Sequence, residues 1–154
     1  MSFSAKLQEL GIELPSVAAP VAAYVPAVQA GDFVYTSGQL PFVEGKLAVT
    51  GLVGDDVDAD SAYQQARIAT LNALAAVHDL VGIDNVTKIV KVNGFVASAK
   101  GFNGQPGVLN GASDLLGEVF GPEVGAHARA AVGVAELPLG APVEVEIIVQ
   151  VAPE

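Results

Sequence analysis

The chain contains no cysteine. Disulfides, thiolate metal sites and a cysteine nucleophile are therefore excluded. Histidine is almost absent too. His78 and His127 are the two present, and they stand too far apart in sequence to read as a zinc motif. Charge is also scarce: 16% of residues are charged and 51% are hydrophobic, against a usual charged share of roughly a quarter. A monomer so poor in charge has little with which to cover its surface, so an apolar face buried against another subunit is expected. Basic residues are the scarcest, with 7 Lys and Arg against 17 Asp and Glu and a net charge of −10. Such a surface repels phosphate backbones, and no nucleic-acid partner is expected. Arg67 and Arg129 are the only arginines.

The N-terminus (MSFSAKLQEL) lacks the apolar centre of a secretory signal, and no run reaches membrane-spanning length without polar interruption. The chain reads as soluble and cytoplasmic, without a membrane partner. Its 154 residues make one domain, 1–154, the default. No phosphate-binding glycine loop, Ser-His-Asp spacing or metal motif is present.

What is there reads as an ordered series of elements. Residues 4–10 suit a short helix capped by Ser4 and stopped by Gly11. Three prolines between Pro15 and Pro26 impose an extended run. Residues 33–37 are β-branched and aromatic after a Gly31-Asp32 turn, and a second turn at 44–46 leads to a short strand at 47–50. Four aspartates in 55–60 fit a helix N-terminus, since carboxylates cap its free N–H groups. A calcium loop needs a different spacing. The main helix follows over 61–81, with Ala62, Ala66, Ala69, Ala73, Leu74, Val77 and Leu80 as its apolar stripe, Arg67 and His78 on its wetter side, and Gly82 as its stop. A strong strand covers 86–97, a loop 98–107, and a helix from Pro106 to about Phe120.

Strands at 128–135 and 143–151 complete the chain and read as a hairpin. In the second, Val143, Val145, Ile147, Val149 and Val151 take one face and Glu144, Glu146, Ile148 and Gln150 the other. The order implies an α+β fold: a mixed sheet with two helices packed on its Val/Ile face. Arg129, Glu144 and Glu146 would then share the opposite face.

Arg129 sits in an uncharged run, His-Ala-Arg-Ala-Ala-Val-Gly-Val-Ala. A half-buried guanidinium requires a carboxylate or a ligand anion. Two readings stand side by side: an ion pair with Glu144 or Glu146 across the hairpin, or a two-pronged grip on a substrate carboxylate. The small neighbours Ala128, Ala130, Ala131 and Gly133 leave room for a ligand. Glu144 and Glu146 suit either acid–base work, if desolvated, or cross-strand pairing. His127 reads as a loop histidine and His78 as structural.

Two motifs carry a family resemblance. Thr36-Ser37-Gly38-Gln39-Leu40-Pro41 resembles an SGQ-(I/L)-P signature. Ala128-Arg129-Ala130-Ala131-Val132-Gly133-Val134-Ala135-Glu136-Leu137-Pro138, followed by Val143-Glu144-Val145-Glu146, is similar to a C-terminal signature. Both are features of the RidA family, also called YjgF/YER057c/UK114, and the likeness covers roughly residues 20–151. The segments Leu10-Gly11-Ile12-Glu13-Leu14-Pro15 and Asn110-Gly111-Ala112-Ser113-Asp114-Leu115-Leu116 resemble a longer subgroup labelled endoribonuclease L-PSP or chorismate-mutase-like, with residues 1–19 as an N-terminal extension.

The resemblance implies a homotrimer of chorismate-mutase-like fold with clefts between subunits, and hydrolytic deamination of imines and enamines. It implies that Arg129 binds a substrate carboxylate and that Glu144 helps to activate water. Tyr24 would contact substrate, Ser37 and Gly38 would form a polar wall, and Asn110 would line the site. Ala131 would also contact substrate and stands where archetypal members often carry cysteine, His127 stands where they usually carry proline, and the 98–107 loop is longer. The expected ligand is a small carboxylate-bearing imine or keto acid, with no cofactor and no metal. A non-catalytic carboxylate-binding trimer is the alternative, and an endoribonuclease a lesser one.

Overall fold

The structure is a computed structural model and describes residues 1–17 and 22–154; part of the extended run expected over 15–26 lies outside the described residues. Three helices and seven strands follow in the order α1 (Phe3–Glu9), β1 (Ala27–Ala30), β2 (Phe33–Thr36), β3 (Phe42–Val43), β4 (Lys46–Leu47), α2 (Ala59–Val81), β5 (Val86–Ala97), α3 (Gln105–Val124), β6 (Ala128–Val134) and β7 (Val143–Val151). The fold is α+β, as the order of elements implies: α2 and α3 are the two helices expected on the sheet, and α1 is the short helix expected at 4–10.

The sheet runs β1-β2-β7-β5-β6, and β3 and β4 form a separate small ribbon. All neighbours in the large sheet are antiparallel except β5 and β6, which are parallel. A parallel pair cannot be closed by a tight turn, and α3 provides the crossover. This corrects the expected hairpin of β6 and β7. The two strands lie on opposite sides of β5, and β7 is inserted between β2 and β5. The compositions of the two strands explain the exchange. β7 buries every second residue completely and fits the sheet centre, whereas β6 is built of small, partly exposed residues that suit an edge.

One face of the sheet carries Val34, Val92, Val96, Val143, Val145, Ile147 and Val149, all essentially inaccessible. α2 and α3 cover it, as the Val/Ile alternation implies. Alanines at 62, 66, 69 and 73 form the buried face of α2, and their small size lets the helix approach closely. Leu80, expected in this stripe, is instead 46% exposed, because the buried face ends at Val77. Asp58 caps α2 by accepting from the Ser61 N–H at 2.7 Å. Gly82 ends α2 with a positive φ of 81°. Thus the acidic run has the helix-capping role expected of it.

Helix α1 is capped by Ser2, not by Ser4. Ser4 is engaged elsewhere: its N–H and hydroxyl both donate to Asp84. Phe3 packs on Phe120 with ring centroids 4.7 Å apart, so the first helix is fastened to the end of α3. The 98–107 loop is shorter than expected, since α3 begins at Gln105; the regular part of α3 ends at Gly121, where φ is 82°. No described helix is long and apolar enough to cross a membrane.

Candidate functional site

Strand register decides where the charged side chains point. Arg129 pairs with Val92, which in turn pairs with Ile147. Paired residues share a face, so Arg129 lies on the helix-covered face. Glu146 pairs with Asn93 and Glu144 with Phe95, both on the open face. The expectation that Arg129, Glu144 and Glu146 share a face is therefore corrected. So is the ion pair: β5 intervenes between their strands, and register separates Arg129 from Glu144 by about 10 Å along the sheet and about 10 Å across it.

The small residues near Arg129 also have another reason to be small. Ala131 pairs with Gly94, and a Cβ on Gly94 would collide with Leu109 of α3. A Cβ on Gly133 would fall 2.8 Å from Gln105. Gly133 thus makes way for the start of α3, and Ala131 is partly buried against the core.

Arg129 is half-buried at the sheet edge and held by α3. Its Nη1 donates to Asn110 Oδ1 at 2.8 Å and to Ser113 Oγ at 3.2 Å. Asn110 and Ser113 are three residues apart and share one side of the helix. Both acceptors are neutral, so the guanidinium retains its full charge. The ion pairs among the described residues are Lys6–Glu9 and Arg67–Glu118; Arg67 accordingly joins α2 to α3. His127 is no free loop side chain: its Nε2 lies 2.9 Å from Ser113 Oγ and its Nδ1 2.7 Å from the Gly125 carbonyl. His78 serves structure, as expected, by accepting the Ile83 N–H at 3.1 Å.

The second group forms at the end of β2. Gln39 bridges to Val145 outside the regular ladder, and Thr36 Oγ1 accepts from the Ile147 N–H. Three residues of one strand therefore span two of the other, and the bulge presses Gly38 onto Glu144. A Cβ at Gly38 would lie 2.6 Å from Glu144 Oε1. Ser37 donates its hydroxyl to the Val25 carbonyl at 2.6 Å, tying the Tyr24–Val25 segment to the strand end. Tyr24 is 59% exposed.

Glu144 is half-buried. Burial, and after it the Glu146 charge, push its carboxyl above the usual carboxylate range. Glu146 is the better satisfied of the two and accepts from Asn93 Nδ2 at 3.2 Å. The predicted residues thus form two groups in one protomer: Arg129 with Asn110 on the β6–α3 side, and Glu144 with Ser37, Gly38 and Tyr24 around the β2–β7 bulge. Ala131 packs against the core beside the first group. Ser113 was not singled out by sequence reasoning, although its three-residue spacing from Asn110 on a predicted helix was a usable signal.

Comparison with known proteins gives a consistent picture. Residues 4–150 match the family described as "YjgF/chorismate_mutase-like, putative endoribonuclease". Protein TCP17 of Trypanosoma cruzi is 45% identical over 148 residues, covering 96% of this chain and 92% of that protein. The 2-iminobutanoate/2-iminopropanoate deaminase of Dermatophagoides farinae is 36% identical over 139 residues, covering 90% and 93%. Among solved structures, the protein Atu1372 of Agrobacterium tumefaciens is similar with a TM-score of 0.89 and 45% identity, covering 97% of this chain and 92% of that one.

Proposed function

The chain belongs to the YjgF/chorismate-mutase-like family, also named RidA, and on that premise we propose that it hydrolyses small 2-imino acids to 2-keto acids at clefts between subunits of a cytoplasmic homotrimer. The observation that carries this reading is the unspent charge of Arg129. A guanidinium fixed by two neutral acceptors at an open sheet edge is prepared for an anion. A carboxylate bound to it would present the adjacent C=N carbon at a fixed distance.

Glu144 is the complementary group. Its raised affinity for protons suits a general base that takes the two protons of water in turn, the second from the carbinolamine hydroxyl, and passes each to nitrogen. Water adds to the imine carbon, the C–N bond breaks, and ammonia leaves with the water oxygen retained as the keto group. Tyr24 and the Ser37–Gly38 turn would flank the substrate. An imine carbon is already electrophilic, so the proposal requires no cofactor. Arg129 and Glu144 of one chain face opposite ways, so a complete site requires Arg129 from one copy and the Glu144 group from another. The exposed apolar side chains of the open face, Val28, Tyr35 and Val132 among them, suit burial in such an assembly.

The net charge of −10 counts against an endoribonuclease, which has to attract a polyanion. The test is direct. An amino-acid oxidase generates the imino acid, and its disappearance is followed with and without the protein. Acceleration supports the enzyme; binding of a 2-keto acid without acceleration favours a carboxylate-binding protein instead. Mass in solution tests the trimer.

A further inference from the structure

Four side chains outside the Glu144 group form one directed hydrogen-bond chain. The Gly125 carbonyl can only accept, so His127 Nδ1 carries the proton in that 2.7 Å contact. In the neutral ring Nε2 is then an acceptor, and the Ser113 hydroxyl donates to it across 2.9 Å. This leaves the Ser113 lone pairs for Arg129 Nη1 at 3.2 Å, while Asn110 Oδ1 takes the other Nη1 proton at 2.8 Å. With the ring neutral, each direction follows from the one before it, starting at a backbone atom.

We infer that Ser113 and His127 are positioning residues that fix the Arg129 guanidinium and reserve one edge of it for the ligand. With both Nη1 protons engaged, the Nε and Nη2 protons remain, and these form the side-on fork that matches two carboxylate oxygens. Asn110 alone would leave the guanidinium plane free to swing about a single contact; Ser113 is the second anchor. Ser113 can serve only if its own proton is directed away from Arg129, and His127 does that. The inference rests on the reading of Arg129 as the carboxylate-binding residue.

Two measurements test it and separate its failure from that of the reading. Arg129 and Arg67 are the only arginines, so the guanidinium resonances are assignable in a ¹⁵N spectrum with one Arg67→Lys control. Arg129 should show slowly exchanging, resolved Nη protons that collapse in Ser113→Ala and in His127→Phe. Ser113→Thr, which keeps the hydroxyl, should restore them. Titration with 2-oxobutanoate should show binding weakened about 5- to 10-fold in Ser113→Ala and restored by Ser113→Thr. With turnover present, that loss should appear in KM with kcat within about twofold, the signature of lost uniform binding. Unchanged Arg129 resonances in both variants overturn the inference whatever the activity. So does unchanged 2-oxobutanoate binding in Ser113→Ala when Arg129→Ala abolishes it, and the reading of Arg129 then survives. A parent protein that neither binds the keto acid nor consumes the imine defeats the reading of function, and the resonances alone then decide the positioning.

Discussion

Arg129 and Glu144 are separated by β5 and project from opposite faces of the same sheet. Any single chemistry that uses both has to draw them from different copies of the chain. Mixed oligomers provide the test. Arg129→Ala and Glu144→Gln chains, each inactive alone, should regain partial imine hydrolysis when dissociated and reassembled together. Complementation is impossible if both groups serve a site within one protomer.

Arg129→Ala should leave the fold intact, because its partners Asn110 and Ser113 are neutral and open to water on the edge side. The substrate carboxylate would lose a two-pronged, charge-assisted grip. Such hydrogen bonds are worth about 1.5–3 kcal/mol each, so kcat/KM should fall at least about 100-fold. Steady-state kinetics beside an unchanged far-UV CD spectrum checks this.

The Glu144 carboxyl holds its proton more tightly in the folded chain than in the unfolded one, through burial and then the Glu146 charge. Its penalty to stability is therefore full above its folded pKa and vanishes as pH falls below the unfolded value of about 4.3. Glu144→Gln should melt higher than the parent at pH 8 and converge with it near pH 4. The same substitution should lower kcat about 100-fold or more if the carboxylate is the base. In the parent, the acid limb of the rate profile should lie above the ordinary glutamate range, and Glu146→Gln should shift it downward.

Two glycine replacements should separate function from stability. At Gly38 an added Cβ meets the mobile end of Glu144, 2.6 Å away. The carboxylate can swing aside, so Gly38→Ala should cost activity and little stability. At Gly111 the Cβ would strike the Tyr63 backbone carbonyl, where α2 and α3 meet. Alanine in a helix gains about 1 kcal/mol over glycine, but prising two helices apart costs about 1–3 kcal/mol or more. Gly111→Ala should be destabilised in urea titration despite its better helix propensity.

At the N-terminus, the Ser4 hydroxyl and N–H hold the Asp84 carboxylate below its usual range. Asp84 thus binds its proton more weakly when folded. Its contribution is full above the unfolded value of about 3.9 and is lost as pH falls through the lower folded value. Helix α1 should loosen below about pH 4, and in Asp84→Ala at all pH values. Amide exchange along residues 3–9 reports both.

Local chemistry was legible in the sequence by itself. The aspartates before α2 and the glycine after it, the Gly31-Asp32 turn, and the strict alternation of β7 are decided within a few residues, because capping, positive φ and a two-residue period are short-range effects. The family motifs also named Arg129 and Glu144. Only the tertiary structure decided which way those two side chains face. The β5–α3–β6 crossover is parallel and places β6 outside β5, while β7 enters between β2 and β5. Strand order depends on which backbone edges meet across the whole chain, and alternation within β6 and within β7 cannot relate the face of one to that of the other. For the same reason the neutral grip on Arg129 by Asn110 and Ser113, and the place of His127 behind it, became visible only once α3 lay against the sheet edge.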